Sequence, residues 1–229
     1  MGALLRDPRG VAPGAADFPG ELQFHLADCP ARLSNAAGRP AQPAFIRGAR
    51  RVGFKSVSQK LRAVQVPANQ IVDLDPCELF VHRNVANLAP PQDANYLSVL
   101  QFAVDVLKVK HIMVVGHYGC GGVSAAVDGL RRGLVDHWLH PIREVYHDHR
   151  NELEAMPDER TRLNRLCKLN VIRQVRNVAS DVIAQDAWAR GQDLSVHGWV
   201  YSLADGLIKD LDSTVRRPDE IERLGERAG

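Results

Sequence analysis

The chain has 229 residues, of which 45% are hydrophobic and 24% are charged, as is usual for a globular protein of this size. Twenty-nine basic residues against 27 acidic ones give a net charge of +2, so nucleic acid and anionic membranes are not expected as partners. No stretch approaches the ~18 apolar residues of a membrane span. Four widely spaced cysteines do not make a disulfide framework. We therefore expect a cytoplasmic protein with no membrane segment.

The composition divides the chain into two parts. Residues 1–50 are rich in Ala, Gly, Pro and Arg, and their prolines interrupt any helical period, which predicts a poorly ordered N-terminal arm. Residues 51–229 are predicted to form an α/β domain. Its first strand, expected within residues 51–66, is disrupted, because Lys55, Lys60 and Arg62 do not suit the centre of a parallel sheet.

Alternating apolar periods predict helices and strands along the rest of the chain. A strand is expected over Leu79–Val85, and a helix over 94–108, with Leu97, Leu100, Val104 and Leu107 on one face. The following elements are predicted in order: a strand ending at Val115, a helix from Ser124, a charged helical stretch over 134–150, a long helix over 161–189, a buried strand over 193–200 and an edge strand over Leu207–Leu211. The polar stretch from Arg216 is expected to be a frayed tail.

A glycine-rich turn carries the main chemical signal. Gly116-His117-Tyr118-Gly119-Cys120-Gly121-Gly122 follows a strand and places a His and a Cys three residues apart. Imidazole and thiolate are ligands that zinc prefers, and glycines allow the backbone to fold closely around an ion. The same pattern also suits a phosphate-binding glycine loop, or an ordinary strand-to-helix turn with a buried Cys.

Three sequence blocks, in order and spacing, resemble the β-class carbonic anhydrases. They are ELFVHRNVAN at residues 78–87, GHYGCGG at 116–122 and VHGWVY at 196–201, and the resemblance runs from about Val66 to Asp212. It implies an α/β fold with a mostly parallel central sheet flanked by helices. It also implies one zinc ion per subunit, a lyase that interconverts carbon dioxide and bicarbonate, and assembly as a homodimer or homotetramer.

One part of the family pattern is broken here. The family's first strand ends in Cys-x-Asp-x-Arg, a zinc ligand followed by a catalytic carboxylate–guanidinium pair. Val66-Pro67-Ala68 fixes the register, so the three positions are occupied by Leu61, Ala63 and Gln65. Of the metal ligands that the resemblance implies, only His117 and Cys120 are present. Two hypotheses follow: an impaired carbonic anhydrase, or an inactive relative that serves as a subunit or scaffold or is an altered gene product.

Other residues were considered as a third ligand. Cys77 stands where the family has glycine, although a small buried or half-exposed thiol is the simpler interpretation. Cys29 lies in the N-terminal arm, and Cys167 falls on an apolar helical stripe, where packing explains it. A second metal site could use a group of histidines on a polar helical stretch, or that stretch could simply be a solvated face. The histidines are His137, His140, His147 and His149.

Overall fold

The structure is a computed structural model that describes Ala68 and residues 79–224. The predictions for the arm at 1–50 and for the disrupted strand at 51–66 lie outside these residues. The same holds for Leu61, Ala63, Gln65, Cys29 and Cys77.

The described part of the chain contains seven α-helices and three strands. The helices are α1 (Ala94–Gln101), α2 (Gly121–Val127), α3 (Leu134–Trp138), α4 (His140–Asp148), α5 (Arg150–Glu154), α6 (Glu159–Ser180) and α7 (Val182–Ala189). The strands are β1 (His111–His117), β2 (Ser195–Ser202) and β3 (Leu207–Asp210). A π-helical turn at Phe102–Val106 continues α1, and short 3-10 turns occur at Val85–Asn87, Pro218–Glu220 and Glu222–Leu224.

The three strands form one mixed sheet in the order β1-β2-β3. β1 and β2 are parallel, with Val114 opposite Gly198. β2 and β3 are antiparallel, with Tyr201 opposite Ile208. The chain between β1 and β2 contains helices α2–α7, and a parallel connection requires a crossover of a dozen or more residues. The predicted α/β class, with helices packed on a central sheet, is confirmed.

Helix α6 packs closely on the sheet because two strand positions have no side chain. A β carbon on Gly116 would lie 2.5 Å from Cγ2 of Val171, and one on Gly198 would lie 2.9 Å from Cγ2 of Val175. Val171 and Val175 are both fully buried. Helix α6 therefore lies closer to β1 and β2 than it could if Gly116 and Gly198 carried side chains.

The apolar interior consists of two adjoining clusters. One lies between the sheet, α1, α6 and α7, and includes Val104, Val175 and Val196. The other lies between α2, α4, α5 and α6, and includes Val123, Ile142 and Leu166. Tyr118 and Ile172 pack against both, so the turn after β1 lies where the two clusters meet.

Two predicted elements differ from the structure. Residues 79–84 do not form the strand expected over Leu79–Val85, and within the described part of the chain no strand ladder or β-bridge includes them. A strand needs a hydrogen-bonded neighbour to be stable, and alternating apolar residues alone do not supply one. The helix expected over 161–189 is two helices, since Asp181 adopts an extended conformation between them (φ −67°, ψ 141°). Its carboxylate accepts a hydrogen bond from the N–H of Ile183 and caps α7.

The polar C-terminal stretch is packed as far as it is described, so the prediction of a frayed tail from Arg216 was wrong. Val215, immediately before this stretch, pairs with Val196 of β2 through an isolated antiparallel bridge, and short 3-10 turns follow at Pro218–Glu220 and Glu222–Leu224. Leu224 is only 3% exposed and belongs to the cluster beside the sheet. The burial of these two apolar side chains in the core stabilises the position of this otherwise polar segment.

None of the described helices combines the length and the apolar composition needed to cross a membrane.

Candidate metal centre

The turn between β1 and α2 brings the two predicted ligands together. His117 is the last residue of β1, and Cys120 immediately precedes α2. Gly119 has φ +68°, a left-handed conformation that glycine adopts without strain, and it turns the chain back within two residues. A β carbon on Gly122 would lie 2.9 Å from Cβ of Ala86, so the turn is seated against the segment that follows residue 84.

The ring of His117 is oriented by its own neighbour. Its Nδ1 lies 3.0 Å from the carbonyl oxygen of Tyr118 and donates a hydrogen bond to it. Nε2 is thereby left to face Cys120. The hydrogen bond with Cys120 raises the pKa of His117, and this effect exceeds the opposing effect of burial. A metal-binding histidine is commonly held in this way, with its other ring nitrogen bonded to a carbonyl.

The thiol of Cys120 is buried, with 7% of the residue exposed. Burial raises the pKa of Cys120, but the hydrogen bond and charge of His117, together with the N–H groups of Val123 and Gly122, outweigh burial and leave the pKa below its ordinary value. The thiolate is the form that binds a metal. The surroundings of Cys120 thus make its thiolate easier to form than that of an ordinary buried cysteine.

His117 and Cys120 could supply two of the donors that a zinc site needs. Zinc sites in proteins hold three or four side-chain ligands, and catalytic sites keep one position for water. Among residues 79–224, no cluster of three or more His, Cys, Asp or Glu side chains is arranged to hold a metal. The donor chemistry therefore fits zinc, but the described part of the chain does not complete the ligand set. Cys77, the substitute considered above, lies outside it.

Cys167 lies beside this site, which the sequence did not indicate. It sits on α6, is 3% exposed, and belongs to the same apolar cluster as Cys120. Burial, with a smaller contribution from the charge of Cys120, raises the pKa of Cys167 to about 12. Its predicted packing role agrees with this burial. A helical stripe predicts that a residue is buried, but it does not predict which residue of another element it meets.

The predicted group of histidines on the polar helices does not assemble into a metal site among the described residues. Two of them lie near carboxylates three or four residues further along the chain: His140 near Glu144, and His149 near Glu152, each at 3.5 Å. The solvated face is the interpretation that these pairs favour. A separate pair joins β1 to β2, where Nδ1 of His111 lies 3.1 Å from Nε2 of His197.

Comparison with known proteins identifies the fold and the family. The family model described as carbonic anhydrase matches residues 64–208. A carbonic anhydrase of Emericella nidulans is 49% identical over 148 residues, covering 65% of this chain and 65% of the relative. One of Candida albicans is 36% identical over 151 residues, covering 65% of this chain and 52% of the relative. The match thus spans about half to two thirds of the length of these curated relatives.

Solved structures agree. The β-carbonic anhydrase of Coccomyxa, determined in complex with acetazolamide, has a TM-score of 0.66 at 38% identity, with 69% of this chain and 72% of that chain covered. A structure from Sordaria macrospora, described as one of two tetrameric β-carbonic anhydrases, has a TM-score of 0.63 at 38% identity, with 65% of this chain and 76% of that chain covered. The fold is that of a β-carbonic anhydrase, and this chain belongs to the β-class carbonic anhydrase family, an enzyme family of lyases.

Proposed function

We propose that this chain is a zinc-dependent carbonic anhydrase of reduced activity that interconverts carbon dioxide and bicarbonate. The observation that carries the proposal is the arrangement of His117 and Cys120. The ring of His117 is fixed by the carbonyl of Tyr118, and its free nitrogen faces a sulfur whose pKa is lowered. Neither feature is needed for an ordinary buried turn, and both serve a metal ligand.

Each residue has a distinct task in this proposal. His117 and Cys120 hold the ion, and the glycines of the turn allow the backbone to approach it. Zinc, when bound, acts as a Lewis acid that makes water nucleophilic near neutral pH. The apolar cluster around Cys120, with Val123 and Leu139, keeps bulk water from the buried side of the site. Assembly as a homodimer or homotetramer and a cytoplasmic location are part of the same proposal.

Reduced activity is proposed because three family positions are changed. Leu61, Ala63 and Gln65 supply neither a third ligand nor a carboxylate–guanidinium pair. Two ligands orient an ion poorly, so zinc affinity should fall well below that of a complete site. A second candidate function rests on this same change. In it, the chain is an inactive relative that serves as a subunit or scaffold, or is an altered gene product.

Zinc content separates the two candidates. Purified protein of verified oligomeric size is dialysed against zinc and then against buffer, and zinc per subunit is measured with His117→Ala as the matched control. The proposal expects zinc that the control lacks, with carbon dioxide hydration above the control. Folded protein holding no more zinc than His117→Ala would overturn the enzyme proposal and leave the inactive relative.

The missing residues can also be restored. The triple variant Leu61→Cys, Ala63→Asp, Gln65→Arg should gain about one zinc per subunit and a large increase in hydration rate, because it regains the ligand and the charge pair together. The single variant Leu61→Cys should gain zinc with a smaller rate increase. The single variant Cys77→Ser, made in the unmodified chain, tests whether Cys77 is the third zinc ligand: if it is, this variant should bind less zinc per subunit.

A further inference from the structure

Two histidines on neighbouring strands have their rings side by side. Nδ1 of His111 lies 3.1 Å from Nε2 of His197, and the two ring centroids are 5.3 Å apart. In the register of the parallel pair, His197 stands opposite Met113, two residues along β1 from His111, so both rings lie on the same face of the sheet. Helix α6 packs on the other face, where Gly198 meets Val175.

The separation of the two ring nitrogens is also the separation of two ligands on one metal ion. Metal–nitrogen bonds of roughly 2.0–2.1 Å, at angles between square-planar and tetrahedral, place two nitrogens about 2.8–3.4 Å apart. In the hydrogen bond between the rings, one nitrogen donates a proton and the other accepts it. A metal ion can take the place of this shared proton, which moves to the other nitrogen of its own ring, so that both imidazoles stay neutral.

The ring of His197 is already oriented for this role. Its Nδ1 lies 3.0 Å from Oγ1 of Thr214, and this hydrogen bond fixes the ring plane and leaves Nε2 for an ion. A histidine that binds a metal commonly donates its other ring N–H to an oxygen of the protein in this way. His111 is exposed, so its ring can turn toward the same point without any repacking of the core.

The surroundings of the pair favour neutral imidazoles, which are the form that binds a metal. Burial is the main cause that lowers the pKa of both histidines. The positive charges of Lys110 and Arg216 act in the same direction, and the carboxylates of Asp193 and Asp210 act against it. These two carboxylates equal the two cations in number, so a divalent ion meets no excess of positive charge.

We propose that His111 and His197 form a second metal site, which binds a divalent first-row transition ion such as Ni²⁺, Cu²⁺ or Zn²⁺ between the two strands. Imidazole is a ligand that suits these ions. Among residues 79–224, no third His, Cys, Asp or Glu completes the pair, so water fills the remaining positions of the ion. His111 and His117 are at opposite ends of β1, about 20 Å apart along the strand. The site is therefore separate from the candidate zinc centre and does not rest on carbonic anhydrase activity.

The test measures Ni²⁺ binding to the full chain by isothermal titration calorimetry. The unmodified protein should bind one more ion per subunit than His111→Gln, a change at an exposed side chain, and His197→Gln should lose the same ion. The measurement is repeated with His117→Ala in every protein, so that the ion lost is not one held at the other centre. His140→Gln is the matched control, since His140 is exposed and has a carboxylate instead of a second histidine beside it.

A change at Thr214 tests the orientation of the ring. Thr214→Val should keep the ion but weaken its binding roughly tenfold or more, because the outer nitrogen of His197 loses its partner. Thr214→Ser keeps the hydroxyl and should bind as the unmodified protein does. The ring of Trp199 lies 5.7 Å from that of His197, so the paramagnetic ion should also quench tryptophan fluorescence in the His117→Ala background, and His111→Gln should reduce this quenching.

Circular dichroism verifies that each variant is folded, and the exposed position of His111 keeps the test valid if His197→Gln does not fold. The same number of bound ions with and without His111→Gln would overturn the proposal. So would an equal loss of binding in His140→Gln, because the ion would then belong to surface histidines in general. None of these results depends on zinc at His117 or on hydration activity.

Discussion

At the scale of single residues, the close contact of α6 with β2 depends on Gly198. A β carbon there would lie 2.2 Å from Oγ of Ser213, as well as close to Val175 and Val171. Backbone and buried side chains cannot all move aside at once, so even one methyl group overpacks this contact.

We expect Gly198→Ala to lower the free energy of unfolding by about 1–3 kcal/mol. Gly121→Ala is the matched control, because a β carbon at position 121 meets nothing within 4 Å. Its φ is not positive. Urea unfolding of both variants measures the difference. Equal stabilities would mean that the sheet and α6 do not approach each other as closely as described.

The residues of the site show what a sequence can and cannot predict. That His117 and Cys120 lie on one turn could be predicted, because they are only three residues apart in a glycine-rich segment that follows a strand; their role as metal ligands stays a prediction. The position of Cys167 in the same buried cluster as Cys120 could not be predicted, because it depends on how α6 is rotated and where it lies along the sheet. An apolar period gives the buried face of a helix but not its neighbours.

At the scale of elements, Asp181 decides that α6 and α7 are two helices. Its carboxylate accepts a hydrogen bond of 3.0 Å from the N–H of Ile183, and its extended backbone ends the first helix. The apolar period continues through this position without a proline or glycine, which is why the sequence predicted one helix. A capping aspartate is a local signal that a longer period easily conceals.

Asp181→Ala should therefore destabilise the protein by about 1 kcal/mol, because the first N–H groups of α7 lose their acceptor. Asp181→Asn, which keeps an acceptor oxygen, is expected to retain most of the stability. Thermal unfolding of the two variants, measured side by side, gives the comparison. An alanine variant as stable as the asparagine variant would show that the cap contributes little.

The histidine pair between β1 and β2 predicts a pH dependence of stability. Burial lowers the pKa of His111, and Lys110 and Arg216 lower it further against the opposing effect of Asp193. Burial also lowers the pKa of His197, helped by His111 and Arg216. Below pH about 6.5, the ordinary histidine pKa, these two histidines are protonated in the unfolded chain but stay largely neutral in the folded protein until the pH reaches their lowered pKa values. This contribution to stability is complete above that pH and is lost as the pH falls through the folded-state pKa values.

Replacing both residues, as His111→Gln with His197→Gln, should make the loss of stability between about pH 7 and about pH 5 shallower than in the unmodified protein. Urea midpoints at several pH values measure the two slopes. His117 has a raised pKa and acts in the opposite direction, so only the difference between the two proteins is informative. Identical slopes would contradict the prediction.

At the scale of the whole molecule, the chain after β3 closes one side of the core. Val215 bonds to Val196 through its backbone, with N–O distances of 2.8 and 2.9 Å, and Leu224 packs into the cluster between the sheet and the helices. The sequence did not predict this because each apolar residue is isolated among polar ones. When single apolar side chains are buried against elements distant in sequence, the sequence shows no apolar periodicity that would predict it.

Leu224→Ala should cost about 2–5 kcal/mol, since it removes a fully packed side chain and leaves a cavity. Leu134→Ala, at a side chain that is 83% exposed, is the control and should cost much less. Denaturant unfolding measures both. A small effect at position 224 would restore the interpretation of this stretch as a frayed tail.

The overall class and order of elements could be predicted from periodicity together with the three family blocks. The strand expected over Leu79–Val85 was predicted from its apolar residues alone, and this failed because a strand also needs a hydrogen-bonded partner to be stable. The proposal of an incomplete metal site, in contrast, comes from the sequence: Leu61, Ala63 and Gln65 stand where the family resemblance implies Cys, Asp and Arg.

Buried side-chain amides of α6 also protect the backbone N–H of Ala89 from hydrogen exchange with solvent. The N–H of Ala89 donates to Oε1 of Gln174 at 2.9 Å, and the carbonyl of Ala89 accepts from Nδ2 of Asn177 at 3.1 Å. Gln174 is itself 1% exposed, and it donates to Oδ1 of Asn170. Gln174 lies 85 residues from Ala89 in the sequence, so this hydrogen bond breaks, and the N–H of Ala89 exchanges with solvent, only when α6 separates from the segment around Ala89. Deuterium uptake at Ala89, an irregular position, should thus be as slow as in the central helix.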